Sequence, residues 1–242
     1  MRGTLLALLL LITGSATVPT IAAKDPQDFN RIERGHYLAI LGDCAACHTS
    51  PASGKGFAGG RPIETPFGTI VSPNITPDLE TGSGAWTDDE FVNALTRGIG
   101  RNGIHLYPAM PYTYMTKVTR EDALTIRAYL STIPAVHNPV QPNQLPFPFN
   151  IRQAMWAWKE LFFTPGTFQL RADKSVEWNR GAYLAEGLMH CGTCHTPKNF
   201  LGGDETSYNL QGYPLQGWFA PNITNDERWG LGDGRLTISS PT

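Results

Sequence analysis

Apolar residues recur at helical spacing in several segments of the chain. Residues 29–41 show this spacing, and Gly42 directly after them predicts a helix stop. Another helix is predicted to open at Thr119 and to end before Pro134. No segment shows the strict alternation of apolar and polar residues that is typical of strands. The pattern therefore predicts an all-α fold.

Three further features complete this outline. Thr87 and Glu90 form a capping-box pattern at the start of a helix that is predicted to end at Gly98. Residues 134–149 are rich in proline, which predicts an extended, semi-rigid spacer. The aromatic residues within 151–163 predict a short helix with two open interpretations. Either the helix packs between two domains, because large apolar side chains are usually buried, or it forms a docking face for a partner subunit.

The N-terminus has the layout of a secretory signal peptide. Arg2 precedes the apolar residues 5–12, and small residues follow them. We expect cleavage after Ala23, so that residues 1–23 form the signal peptide and the mature protein is exported. The alternative is an uncleaved anchor helix, which the shortness of the apolar run disfavours.

Composition limits the function classes. The 242 residues are 41% hydrophobic, which is enough to support a packed core. The formal net charge of −2 argues against a nucleic-acid partner bound through basic charge. The 25 glycines and 19 prolines indicate short elements joined by long loops. No set of acid and base residues for catalysis is evident, so we expect no catalytic residue.

All four cysteines lie in two C-x-x-C-H pentapeptides, residues 44–48 and 191–195. This is the pattern for covalent attachment of haem c. Two intervening residues let one helical turn present both sulfurs to the porphyrin, and the next residue points an imidazole at the iron. The predicted attachment residues are Cys44, Cys47, Cys191 and Cys194, and the predicted iron ligands are His48 and His195.

Three other interpretations use the same cysteines. Disulfides suit an exported chain but do not require a histidine after each pair. A zinc-binding interaction module with four thiolate ligands is a second alternative, although 147 residues separate the pairs. A thioredoxin-like redox pair needs a βαβ setting that the sequence does not show.

The two pentapeptides belong to an internal repeat. Residues 34–38 match residues 180–184, and residues 72–76 match residues 220–224. The offset between the copies is 147 residues at the cysteine pairs and 148 at residues 72–76, which indicates a domain duplication with one haem in each copy. We predict a first domain at 24–133, a linker with the aromatic helix at 134–165, and a second domain at 166–242.

An electron-transfer haem needs a second axial ligand, and a methionine there raises the reduction potential. Met110 lies in a loop that is stiffened by Pro108 and Pro111, which makes it the predicted ligand of the first iron. His105 and His36 are the alternative ligands. The equivalent position in the second copy falls beyond residue 242, so the second domain is expected to be incomplete.

On these residues the chain resembles the cytochrome c subunits of membrane-bound periplasmic dehydrogenases for alcohol, gluconate, sorbitol and fructose. The resemblance rests on both pentapeptides, residues 72–76, residues 107–112 and residues 221–224. It implies two tandem class I cytochrome c-like domains. It also implies transfer of electrons from a catalytic dehydrogenase subunit to ubiquinone or the respiratory chain, at the periplasmic face of the inner membrane.

Members of that family usually carry three C-x-x-C-H sites and a C-terminal membrane-anchoring segment, whereas this sequence has two sites. A third haem is thus expected only in a full-length protein. Membrane association is expected to occur through a partner or through a missing C-terminal segment. Residues 234–242 can be encoded by a nucleotide sequence that, read in a shifted frame, encodes residues similar to the helix that follows Thr87. We hypothesise a frameshifted fragment. A di-haem cytochrome c peroxidase-like enzyme is the alternative function.

Overall fold

The computed structural model describes residues 29–232, and most of its regular structure is helical. The predicted signal peptide and residues 234–242 lie outside the described residues. The elements are α1 (Phe29–Leu41), α2 (Cys44–His48), β1 (Pro62–Thr65), β2 (Gly68–Val71), α3 (Asp88–Arg97), α4 (Tyr112–Met115), α5 (Arg120–Leu130), α6 (Ala154–Phe162), α7 (Val176–Tyr183), α8 (Gly192–His195), β3 (Tyr213–Leu215) and β4 (Trp218–Ala220). We call residues 29–133 the first half and residues 166–232 the second half.

The helix predicted at residues 29–41 is confirmed as α1, which crosses α5 at close range. Gly35 lies at the crossing, where an added Cβ would overlap the Thr125 carbonyl and lie 2.8 Å from the Tyr129 Cβ. A side chain at position 35 would therefore force the two helices apart. At the end of α1, the Gly42 N–H donates to the Leu38 carbonyl at 2.9 Å.

Capping residues set the ends of α3 and α5 as predicted. The Thr87 hydroxyl accepts from the Glu90 N–H, and the Glu90 carboxylate accepts from the Thr87 N–H. Gly98 ends α3 in the left-handed conformation at φ 59°. Thr119 caps α5 by accepting from the Asp122 N–H.

The prediction of a purely helical fold is wrong in one respect, because two short antiparallel hairpins are present. β1 pairs with β2, and β3 pairs with β4. Each strand has only three or four residues, which is too short for an alternating pattern to stand out. Pro62 and Pro214 also lie in these strands and weaken any strand signal.

The first half supplies most of the apolar core. The members of this core come from α1, α3, α4, α5 and the turn between α4 and α5, joined by Leu188 from the second half. Leu188 is fully buried among them. The buried residues of this cluster are Leu38, Ala39, Phe91, Leu95, Met115, Val118, Ala123, Ile126, Leu130 and Leu188.

A π-helical turn at Leu184–Leu188 leads into the second cysteine pair. Five residues separate Leu38 from Cys44, whereas six separate the matching Leu184 from Cys191. Because a π-turn holds one residue more than an α-turn, it absorbs this difference. Both halves thus reach their first cysteine from equivalent helices.

The predicted aromatic helix is observed as α6, and it contacts both halves. The Lys159 ammonium donates to the carbonyls of Arg97 and Gly98, at 2.9 and 2.6 Å, at the C-terminus of α3. The Trp158 Nε1–H donates to the Leu201 carbonyl of the second half at 2.8 Å. The packing interpretation fits this face of α6. Trp156, by contrast, is 61% exposed.

No helix within residues 29–232 combines the length and the apolar character that a bilayer crossing requires.

Asp122 joins the two halves through a buried polar network. Its carboxylate is almost fully buried and accepts from the Arg34 guanidinium at 2.5 Å. It also accepts from the Tyr183 hydroxyl at 2.7 Å, and Arg180 lies 3.9 Å away. Arg34 and Arg180 occupy equivalent positions of the repeat. The arginines of both copies therefore face one carboxylate on α5.

Replacing Asp122 by Asn keeps the shape of this side chain and removes its charge. We expect Asp122→Asn to lower the free energy of unfolding by about 2 kcal/mol, because charge-assisted hydrogen bonds to a buried group are lost. Urea denaturation of the purified protein measures the effect.

Asp89→Asn is the matched control, since the Asp89 carboxylate binds Arg120 at 2.6 Å but is 74% exposed. That substitution should cost less than about 1 kcal/mol. Equal losses in the two variants would show that Asp122 does not join the halves.

Candidate haem sites

The first cysteine pair lies on the single helical turn α2. Cys44 is half-buried against the apolar core, whereas Cys47 is exposed. The His48 Nδ1 donates to the Pro73 carbonyl at 2.8 Å. Because a carbonyl only accepts, Nδ1 carries the proton and the Nε2 lone pair is left for a metal. Burial lowers the pKa of His48, which favours the neutral imidazole that binds iron.

The second pair repeats this arrangement. Cys191 directly precedes α8, and Cys194 lies within it. The His195 Nδ1 donates to the Pro221 carbonyl at 2.7 Å. Both histidines are thus oriented by the proline of a Pro-Asn-Ile-Thr sequence.

The asparagine and threonine of these sequences form the turn that follows the proline. The Asn74 side-chain oxygen accepts from the N–H and hydroxyl of Thr76 at 2.9 and 2.8 Å. Asn222 makes the same two bonds with Thr224, at 2.8 and 2.7 Å. The matching motifs found in the sequence therefore build matching turns around the two histidines.

Gly59 and Gly212 are site residues that sequence reasoning missed. The N–H of Gly59 donates to the His48 carbonyl at 2.7 Å, and that of Gly212 to the His195 carbonyl at 2.8 Å. A Cβ on Gly59 would collide with Pro73, the residue that orients His48.

Their equivalence is hidden in the sequence by compensating changes of length. Gly59 lies 11 residues after His48 and 14 residues before Pro73. Gly212 lies 17 residues after His195 and 9 residues before Pro221. Both glycines have positive φ, at 72° and 95°. The signal that could have found them is a glycine in each loop between the histidine and the proline, because glycine readily adopts positive φ.

The four thiols are free and predominantly neutral. Burial raises the pKa of Cys44 to about 12. Desolvation by the surrounding protein also raises the pKa of Cys47, Cys191 and Cys194. Neutral thiols are poor redox nucleophiles. Within residues 29–232 no cluster of three or more histidine, cysteine or acidic residues could hold a metal ion, so the four-thiolate zinc interpretation finds no support.

The residues therefore fit haem c better than the alternatives. Each site presents two cysteines on one turn and a histidine whose Nδ1 is held by a carbonyl, which is the usual support of a metal-bound imidazole.

Met110 lies half-buried at the edge of the same apolar cluster that Cys44 contacts. Its loop is tightly folded, since the Met110 N–H donates to the Tyr107 carbonyl at 3.1 Å. The loop ends at Tyr112, which is fully buried with its ring against Gly98. The polypeptide on both sides of Met110 is thus held in place.

The remaining ligand candidates lie in different surroundings. His36 is exposed and stacks on Tyr129 at 4.7 Å between ring centroids. His105 has a buried Nδ1 without a hydrogen-bond partner among the described residues. Two further methionines, Met115 and Met189, are not proposed as ligands; Met115 is buried in the core, and Met189 is 41% exposed.

The two sites lie beside each other. His190, directly before Cys191, donates from Nε2 to the Gly42 carbonyl at 3.3 Å. On another side, the Tyr114 ring covers Gly192, and its hydroxyl donates to Asp204 at 2.6 Å. The second cysteine turn is therefore built directly onto the first half.

Comparison with known proteins agrees with this chemistry. The Cytochrome c family matches residues 32–134. The chain is 42% identical over 236 residues to the fructose dehydrogenase cytochrome subunit of Gluconobacter japonicus, covering 96% of this chain and 49% of the relative. It is 39% identical over 236 residues to the gluconate 2-dehydrogenase cytochrome c subunit of Pantoea cypripedii, covering 93% and 53%.

The chain spans about half the length of these two subunits. A third relative is matched over more of its length, the diheme cytochrome c-type protein of Cereibacter sphaeroides. The identity is 39% over 248 residues, covering 96% of this chain and 82% of the relative. The chain therefore belongs to the c-type cytochromes, the family that includes the cytochrome subunits of these dehydrogenases.

Proposed function

We propose that this chain is a multihaem electron-transfer subunit with two covalent haems c. Cys44 and Cys47 attach the first haem, and Cys191 and Cys194 attach the second. His48 and His195 are the proximal ligands of the two irons. The observation that carries the proposal is the twin arrangement in which each histidine donates Nδ1–H to a proline carbonyl.

The haems supply one-electron oxidation and reduction, and the chain supplies their burial, spacing and axial ligands. Two tandem domains at 24–133 and 166–242, joined by the linker at 134–165, account best for the matched turns. The contact between His190 and Gly42 supports close approach of the two haem edges. Because electron tunnelling weakens steeply with distance, such proximity suits transfer from one haem to the other.

Met110 is our proposed sixth ligand of the first iron. Its half-buried position beside the cluster that Cys44 contacts supports this role, as does the folded loop that carries it. His105 and His36 are the alternatives, and ligation by either would lower the reduction potential.

The electrons come from a catalytic dehydrogenase subunit that oxidises an alcohol, polyol, sugar or sugar acid. They leave to ubiquinone or another component of the respiratory chain. The subunit names of the relatives support this partner, since fructose and gluconate dehydrogenases are among them. The same relatives do not favour a di-haem peroxidase. We further propose export to the periplasm and peripheral attachment to the inner membrane through the partner.

Haem content tests the two sites directly. Protein made with a complete haem-maturation system should carry two haems that resist extraction into acidified acetone. The double variant Cys44→Ala/Cys47→Ala should lose one haem, and Cys191→Ala/Cys194→Ala should lose the other, because each pair supplies both thioether bonds. Intact mass and the alkaline pyridine spectrum give the count. Colourless wild-type protein would end the proposal.

Near-infrared absorption of the ferric protein tests Met110. Met110→Leu should abolish the methionine–iron charge-transfer band of the first haem and lower its reduction potential. Met115→Leu is the control, because Met115 is buried in the core and should leave the band unchanged. A band that survives in Met110→Leu would move the assignment to another residue.

Electron transfer is tested by stopped-flow mixing of the ferric protein with a dehydrogenase subunit and its sugar or alcohol substrate. We expect rapid appearance of the ferrous spectrum only when enzyme and substrate are both present. Hydrogen peroxide turnover by the cytochrome, without such reduction, would favour the peroxidase alternative instead.

A further inference from the structure

The two cysteine turns meet at one junction. The His190 imidazole bonds the Gly42 carbonyl, and an added Cβ on Gly42 would lie 3.2 Å from the Leu188 Cδ1. Gly42 lies two residues before Cys44, and His190 lies directly before Cys191. The junction is therefore formed by the residues that lead into the two haem-attachment turns.

The residue before the first cysteine adopts the same unusual conformation in both halves. Asp43 has φ 49° and His190 has φ 41°, both in the left-handed region that side chains rarely adopt. Such a conformation is unfavourable in a residue with a side chain. In both halves this backbone turn starts the cysteine helix.

Asp43 occupies the N-cap position of α2 without capping it. Thr87, Thr119 and Ser175 accept hydrogen bonds from their helices, whereas the Asp43 carboxylate accepts none from α2. Within residues 29–232 its carboxylate takes part in neither a hydrogen bond nor an ion pair. It is thus an uncompensated negative charge at the junction.

The charge lies beside both turns, because Asp43 directly precedes Cys44 and directly follows Gly42, whose carbonyl accepts from His190, the residue before Cys191. After burial, Asp43 is the next cause that raises the pKa of Cys44 and of Cys47. It also contributes to the raised pKa of Cys194 in the other turn. The opposing cations act locally, since Arg61 lowers the pKa of Cys47 and Lys198 that of Cys194.

We propose that Asp43 is a tuning residue shared by the two haems, and that its carboxylate lowers both reduction potentials together. The inference rests on the proposed presence of two haems. A ferric haem carries one positive charge more than a ferrous haem, so a nearby carboxylate favours the ferric state of each. A charge felt by both irons moves both potentials in the same direction, whereas Arg61 and Lys198 each adjust one.

Asp43→Asn tests this in the haem-loaded protein. Asn is among the residues that best tolerate positive φ, so the turn should be kept. Potentiometric titration should show both reduction potentials rising. Each ferric–ferrous equilibrium should shift toward the ferrous form by up to about tenfold, which is 59 mV for one electron. Asp43→Gly should give the same double shift.

Two control variants separate a shared effect from a local one. Arg61→Gln should lower the potential of the first haem and leave the second unchanged. Asp173→Asn, which removes an exposed carboxylate paired with Arg171, should change neither. Titration of each single-haem variant assigns the potentials to the two haems.

The haem count distinguishes the two ways to fail. Fewer than two haems in the wild type would overturn the proposed function itself. Two haems with a shift of only one potential in Asp43→Asn, or of neither, would overturn the shared role of Asp43 and leave the proposed function intact.

Discussion

Each histidine that follows a cysteine pair is held by the carbonyl of a proline about 26 residues further along, and both halves are organised around that bond. The turn after each proline requires the asparagine–threonine pair, and the approach of the loop to the histidine carbonyl requires a glycine. These requirements explain why short motifs recur while the intervening loops differ in length. The orientation of each imidazole is thus the common constraint, and the loops between histidine and proline meet it with the glycine at different positions.

The halves are not equivalent in their packing. Gly35 of α1 lies against α5, whereas an added Cβ on the matching Gly181 of α7 would meet nothing within 4 Å. The large apolar cluster is made almost entirely by the first half, and Leu188 is the member contributed by the second. The second site therefore gains much of its support from α6, from Asp122 and from Tyr114 rather than from a core of its own.

Local signals predicted much of the fold. The capping residues Thr87 and Thr119 and the stop at Gly42 act within one or two helical turns, so the sequence shows them directly. The hairpins escaped because their strands are too short to display a period. The convergence of Arg34 and Arg180 on Asp122 joins residues far apart in the chain, and no local pattern reports such a contact. The cysteines and histidines of the proposed sites could be predicted because covalent haem attachment would restrict their spacing, whereas Gly59 and Gly212 were hidden by unequal loops.

The dependence of the second half on α5 has a consequence for how the protein is made. Residues up to 130 leave the ribosome first, and domains generally fold in that order. They can bury α1 against α5 before Arg180, Tyr183 and Leu188 have been synthesised. Asp122 and the apolar cluster then present a ready surface onto which the later residues assemble. The second half therefore depends on the first half for its packing surface. Expressed by itself, it would lack the residues of the first half that support its cysteine turn.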